Sequence, residues 1–468
     1  MYSPSGHVIR DHAPAGDELH LHAYTDAANL ASKLVRTGGT LVLAGGTVID
    51  GTGRAPIPDA VVVVEDGGIA KVGPRASTTV PSGATVRTID TTGRYLVPGL
   101  IDCHVHFTGD HVEISVVDGR RTFNETTTQR KFMEPIHSVR IIRSAANANL
   151  LLAAGFTTVR NLGHADAAHI AAVKAAIRLG LVAGPDIVDS GWAISQTGGH
   201  GKVMIWPYDL AHRLRPRSSF ADGVAECVAH VRQNIREGAD CIKIYTSEGM
   251  INAPNRLEGL SNYSPREIEA MVAEAHRSGL KVSAHAVTVA GTRSAVLGGV
   301  DTIEHGPHVL DEELLKTMRD RGTVLVPTLE SYDFAATGRQ DHVFGRWVAE
   351  RAARRLTGRM AVVRRAYELG VPLALGTGAG APPRGGRNTR ELELLVEAGL
   401  TPLETLRVAT QGSAAALGRE REIGSIKKGR RADILVLRAD PLVSIGTLRD
   451  QDTIERIVQP RYAGGGPA

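Results

Sequence analysis

Residues 98–106 read Pro98-Gly99-Leu100-Ile101-Asp102-Cys103-His104-Val105-His106, an apolar run that ends in two histidines one residue apart. Side chains alternate along a strand, so His104 and His106 point the same way at the end of one. In a closed parallel barrel that direction is the interior, where two imidazoles can share a metal ion. A bare His-X-His is a weak signal, and the chain supplies its own contrast. Glu18-Leu19-His20-Leu21-His22 has the same spacing but sits in a polar stretch with no strand pattern and no partner ligands. His20 and His22 therefore read as solvated tail residues.

Working outward from this run, the middle of the chain alternates short apolar segments with helical ones. Strand-like segments fall at 157–161, 186–190, 241–245, 281–286, 302–304, 323–328 and 372–377. With 95–107 as the first, they make eight, the count of a (β/α)8 barrel. Two helix starts carry capping boxes, Ser264-Pro265-Arg266-Glu267 and Thr401-Pro402-Leu403-Glu404, in which a hydroxyl and a carboxylate three positions later satisfy free backbone N–H groups. No Gly-rich phosphate loop follows an early strand, which argues against a doubly wound nucleotide-binding sheet. From 40 to 89 the texture is β-rich and broken by Asp50-Gly51 and Asp66-Gly67, a hairpin pattern. Similar texture returns at 433–437 and 454–458. The expected architecture is α/β: a tail over 1–38, a small β-sandwich domain built from 39–94 and 420–464, and a barrel over 95–419.

Bulk composition fits a soluble enzyme. Of 468 residues, 42% are hydrophobic and 22% charged, and the net charge is +4, with no concentrated basic block of the kind that binds nucleic acid. Arg354, Arg355, Arg364 and Arg365 recur along one helical stretch and read as a solvated face. Three scattered cysteines do not form a disulfide framework. Neither a signal peptide nor a membrane-length apolar run is visible, so the expected setting is cytoplasmic, with no membrane or nucleic-acid partner.

The run at 98–106 resembles the opening motif of the amidohydrolase superfamily. The resemblance extends from about 40 to 441 and includes Thr47-Val48-Ile49-Asp50-Gly51-Thr52-Gly53, Gly155-Phe156-Thr157-Thr158-Val159-Arg160, Thr197-Gly198-Gly199-His200-Gly201, Thr302-Ile303-Glu304-His305-Gly306 and Lys428-Gly429-Arg430-Arg431-Ala432-Asp433. The branch most similar comprises prolidase-like, ochratoxinase-like and imidazolonepropionase-like enzymes. It implies two divalent ions, usually zinc, held by two histidines, an N-carboxylated lysine, two more histidines and an aspartate. On this chain the matching ligands are His104, His106, Lys243, His285 and His305. The resemblance also implies a homo-oligomer and a small-molecule substrate.

Lys243 fits its position on physical grounds as well. In Cys241-Ile242-Lys243-Ile244-Tyr245 the isoleucines face outward and the lysine inward, where an ammonium is costly. Burial near cations favours the neutral amine, which can add CO2, and the carbamate oxygens then suit hard metal ions. The ordinary alternative is a structural lysine paired with a carboxylate. His200 lies in a Gly-rich loop; the resemblance implies that it touches substrate or polarises the scissile carbonyl, and a structural loop role is the alternative. Tyr245 and His308 are further candidates for substrate binding. Loops at 108–135, 193–219, 247–262 and 330–345 would shape the pocket, with Trp206 and Tyr208 as a possible apolar wall.

Two positions depart from the branch. It expects Gly-Thr-Asp-Ala-Gly at the end of the eighth strand, and this chain has Gly376-Thr377-Gly378-Ala379-Gly380. Gly378 can neither ligate a metal nor take a proton from water. Asn161 stands where an acidic residue is common. The resemblance implies hydrolysis of an amide or cyclic amide C–N bond by metal-activated water, with His200 or a substrate group standing in as base. Two alternatives remain open. One is a non-hydrolytic cyclisation, elimination or isomerisation. The other is a weakly active, inactivated or purely ligand-binding protein.

Overall fold

The computed structural model describes residues 27–107, 114–117, 120–123, 137–163, 167–201, 218–249, 261–337, 346–380 and 387–460. His20, His22, Trp206, Tyr208 and most of the four pocket-shaping loops lie outside the described residues.

Both chain ends build one eight-stranded sheet. Its members are β1 (Leu34–Thr37), β2 (Thr40–Val48), β3 (Ile57–Glu65), β4 (Gly68–Pro74), β5 (Val86–Asp90), β6 (Tyr95–Pro98), and, from the far end, β19 (Ile434–Leu437) and β20 (Ile454–Pro460). The hairpin between β3 and β4 turns on Asp66 and Gly67, both at positive φ, the backbone a tight two-residue turn requires. β6 lies between β2 and β19, so early and late segments interlock. Leu41, Val62, Leu96, Ile434 and Val458 share its core. The sheet starts earlier than the sequence suggested: β1, inside the expected tail, pairs in parallel with β20.

The first expected barrel strand is two strands in different sheets. Tyr95–Pro98 belongs to the end sheet, and only β7 (Leu100–His106) enters the parallel set. Gly99 is the joint. A Cβ there would fall on the side chain of Thr157, so the backbone passes between the sheets where no side chain fits.

The parallel strands are β7, β10 (Phe156–Asn161), β11 (Asp186–Asp189), β12 (Ala193–Ser195), β14 (Cys241–Tyr245), β15 (Lys281–Ala286), β16 (Thr302–His305) and β17 (Val324–Val326). β7 pairs with β10 and β10 with β11; β12 through β17 pair in turn, with β13 (Ser218–Phe220) beside β12. The bond from Asp240 N to Asp189 O carries β11 across to the start of β14. Beyond β17, the segment 372–377 continues the series by backbone bonds. Leu325 N donates to Pro372 O, and Cys103 N donates to Leu375 O. Followed strand to strand, the pairings return to β7. Helices connect the strands, and the two capping boxes open Pro265–Arg277 and Pro402–Arg407 as the sequence indicates.

Asn161 has a local partner that explains its amide. Its Nδ2 donates to Asp189 Oδ1 at 2.7 Å, and its Oδ1 accepts from Phe107 N; an acid here would face a second carboxylate. Burial pushes the Asp189 carboxyl up to about 6 from an ordinary 3.8. Between those pH values the folded protein holds a proton that the unfolded chain has released. Stability therefore falls as pH rises from about 4 to about 6 and stays lower above. At about 1.4 kcal/mol per pH unit the loss is up to about 3 kcal/mol. Asp189→Asn keeps an acceptor for Asn161 and is expected to make that slope shallower, which urea unfolding across pH 4–8 measures. Equal slopes in both proteins would refute it.

Candidate metal centre

Three strand tips bring the four histidines together. His104 and His106 come from β7, His285 from β15 and His305 from β16. Ring centroids stand 5.1 Å apart for His104 and His106, 4.9 Å for His104 and His305, and 4.5 Å for His305 and His285. His285 stacks on His200 at 4.2 Å, and Tyr245 lies 4.7 Å from His200 and 5.4 Å from His285. Six rings thus form one continuous group. His308 stands beyond the tip of β16, where its carbonyl abuts Gly358 of the helix Arg346–Glu368.

Lys243 lies among them. Its side chain is fully buried, and Nζ has no hydrogen-bond partner among the described residues. Burial lowers its pKa to about 7. Burial also holds His104, His285 and His305 well below the ordinary histidine range, with Lys243 adding to the depression in all three. Neutral imidazoles have lone pairs to give. His285 Nε2 is buried with no hydrogen-bond partner among the described residues. Buried polar atoms are ordinarily satisfied, so an unpartnered amine and an unpartnered imidazole nitrogen in one cluster form a donor set that fits a cation. Among the described residues no three His, Cys, Asp or Glu side chains stand ready as a ligand group.

Backbone strain helps place His305. Alternation along β16 would put Glu304 and His305 on opposite faces. His305 instead takes φ +73°, a left-handed conformation uncommon for a non-glycine and concentrated at functional sites. Both side chains then reach the same cluster. Thr328, also left-handed, holds His305 Nδ1 at 2.7 Å, and Arg359 Nη1 donates to the His305 carbonyl at 3.3 Å. Arg359 and Arg355 are buried, which corrects the solvated reading for Arg355; Arg354 and Arg364 are exposed. Arg359 rests 3.9 Å above the Tyr332 ring, a packing partner that charge periodicity does not reveal.

Asp102, from the opening motif, ties β7 to the eighth segment. It accepts from His104 N, Thr377 N, Thr377 Oγ1 and Asn388 Nδ2, while burial raises its carboxyl to about 6. Gly378 follows immediately, its N donating to His104 O at 2.7 Å. It has φ +60°, and a Cβ there would stand 2.8 Å from Ser331 Oγ. Ser331 thus borders the space into which a side chain at 378 would begin to grow.

A family model, described as the amidohydrolase family, matches residues 95–460. The chain belongs to the amidohydrolase family. The ochratoxinase of Aspergillus niger is 30% identical over 436 residues, covering 89% of this chain and 85% of that one. The imidazolonepropionase of Symbiobacterium thermophilum is 26% identical over 403 residues, covering 82% and 84%. Among solved structures, a Xaa-Pro dipeptidase with methionine bound in its active site superposes with a TM-score of 0.76 at 28% identity, covering 90% of this chain and 98% of that one. The family relatives are enzymes acting on amide bonds. Among the described residues, no helix is long and apolar enough to cross a membrane.

Proposed function

We propose that this amidohydrolase-family chain is a metal-dependent hydrolase of an amide or cyclic amide C–N bond in a small molecule. The observation that carries the reading is Lys243, a buried amine with no hydrogen-bond partner among the described residues and within electrostatic reach of His104, His285 and His305. In this reading the circuit of parallel strands is a (β/α)8 barrel, and the sheet from both chain ends is a small β-sandwich domain beside it. Lys243 as its carbamate, with the pairs His104/His106 and His285/His305, would hold two divalent ions, zinc by preference. Bound there, such ions lower the pKa of water and polarise a carbonyl.

The chain's own residues bind and orient. His200, stacked on His285 and beside Tyr245, hydrogen-bonds the scissile carbonyl oxygen. Tyr245 and His308 contact the substrate. Three buried, unbridged cysteines suit a cytoplasmic setting, and a homo-oligomer completes the reading.

Metal analysis of the purified protein, with turnover of N-acyl amino acid and dipeptide panels, tests it. The expected result is bound metal and hydrolysis, both lost in Lys243→Ala. Protein without metal, with a biological role that survives Lys243→Ala, would mark a binding protein instead. Gly378 favours a second reading, in which the centre keeps its ions and runs a cyclisation, elimination or isomerisation with no base at that position.

A further inference from the structure

Glu304 is fully buried, and its two oxygens face different partners. Oε1 accepts from Arg160 Nη2 at 2.8 Å, Ser283 Oγ at 2.5 Å and Thr302 Oγ1 at 2.6 Å. Oε2 lies 2.7 Å from His104 Nδ1. Arg160 is anchored in turn by its Nε bond to Cys103 O at 2.7 Å. A carboxylate can only accept, so the neutral His104 imidazole carries its proton on Nδ1 and presents a bare Nε2 lone pair.

We infer that Glu304 is a positioning residue that fixes the tautomer and ring orientation of His104, with Arg160, Ser283 and Thr302 holding Glu304 in place. The inference rests on the metal-centre reading for its consequence, since a histidine ligand is commonly oriented through its other nitrogen by a carboxylate. The tautomer itself follows from the hydrogen bonds alone.

Glu304→Gln separates orientation from simple packing. The glutamine has one acceptor oxygen, and three donors on the Arg160 side claim it. Its NH2 is then left facing His104 Nδ1, which must become an acceptor. The imidazole proton moves to Nε2, the atom meant to bind a cation.

Three measurements test this. Neutron crystallography of the metal-free wild-type protein should show the His104 proton on Nδ1, and metal-free Glu304→Gln should show it on Nε2. Zinc affinity, measured by chelator competition, should fall about 10–100-fold in Glu304→Gln. In a His104→Ala background the same substitution should add no further loss. A wild-type proton on Nε2, unchanged zinc affinity in Glu304→Gln, or an equal loss in the His104→Ala background would each overturn the inference. The wild-type measurement needs no variant to fold. A wild-type protein that binds no zinc overturns the metal-centre reading and leaves the tautomer to decide this one.

Discussion

Lys243→Met is expected to empty the metal centre and abolish turnover while making the metal-free protein more stable. The two effects come from the same burial. Lys243 places an amine among neutral imidazoles with no carboxylate bonded to it among the described residues. Methionine, one heavy atom shorter, fills most of the same space and removes the cost of an unsatisfied polar group in an apolar setting. A buried polar group left without a hydrogen bond costs about 1–3 kcal/mol, so a rise of that order in urea-unfolding free energy is expected for the metal-free protein. On the proposed reading, the same change deletes the side chain that would serve both histidine pairs. Metal content by elemental analysis and turnover should therefore fall together to background. A methionine variant that is less stable without metal, or that keeps its metal, would show that Lys243 has a structural partner after all.

Gly378→Asp has the largest expected gain. If turnover is limited by the missing carboxylate, restoring it raises the rate by about 10²–10⁴, roughly 3–5 kcal/mol of barrier. The structure places a cost against this gain. At φ +60° an aspartate must hold the left-handed conformation, and its Cβ would meet Ser331 Oγ at 2.8 Å. That hydroxyl donates to Thr377 O, so it cannot rotate away without losing a bond. A stability loss of about 1–3 kcal/mol is expected, and adding Ser331→Ala should recover the crowding part. The measurements are turnover on the N-acyl amino acid panel and thermal midpoints for both variants. A metal-loaded double variant with no hydrolysis would sink the hydrolytic reading in favour of the non-hydrolytic one.

Much of this was legible before any coordinates, for identifiable reasons. β14 and β15 have the bounds that the apolar runs at 241–245 and 281–286 suggest, because strands buried on both faces read as near-continuous apolar segments. Gly99 sits within the deciding motif, yet a glycine gives no sign of which neighbour excludes a side chain, so the two strands flanking it read as one. The segment 372–377 was harder still, because its place is fixed by backbone bonds to distant residues, Leu325 on one side and Cys103 on the other. Glu304 was visible only as the neighbour of His305. Alternation would have put Glu304 and His305 on opposite faces, and no sequence rule foretold the positive φ at His305 that lets both reach the cluster. Its partners Arg160, Ser283 and His104 converge only through tertiary structure. Arg355 shows the opposite failure: charge spacing along a helix is the same whether the face meets water or is buried.

The interlocked end sheet has a consequence for how the protein is made. On the ribosome, β6 emerges early, but one of its two flanking strands, β19, is synthesised only after the whole intervening α/β region. Until then the nascent chain displays the backbone edge of Leu96 and Val97 without that partner. Such bare edges recruit foreign strands, and long-range pairing of this kind is slow. A translation product that stops before residue 434 keeps the edge open for good, so yield of usable protein hinges on finishing the last strands promptly.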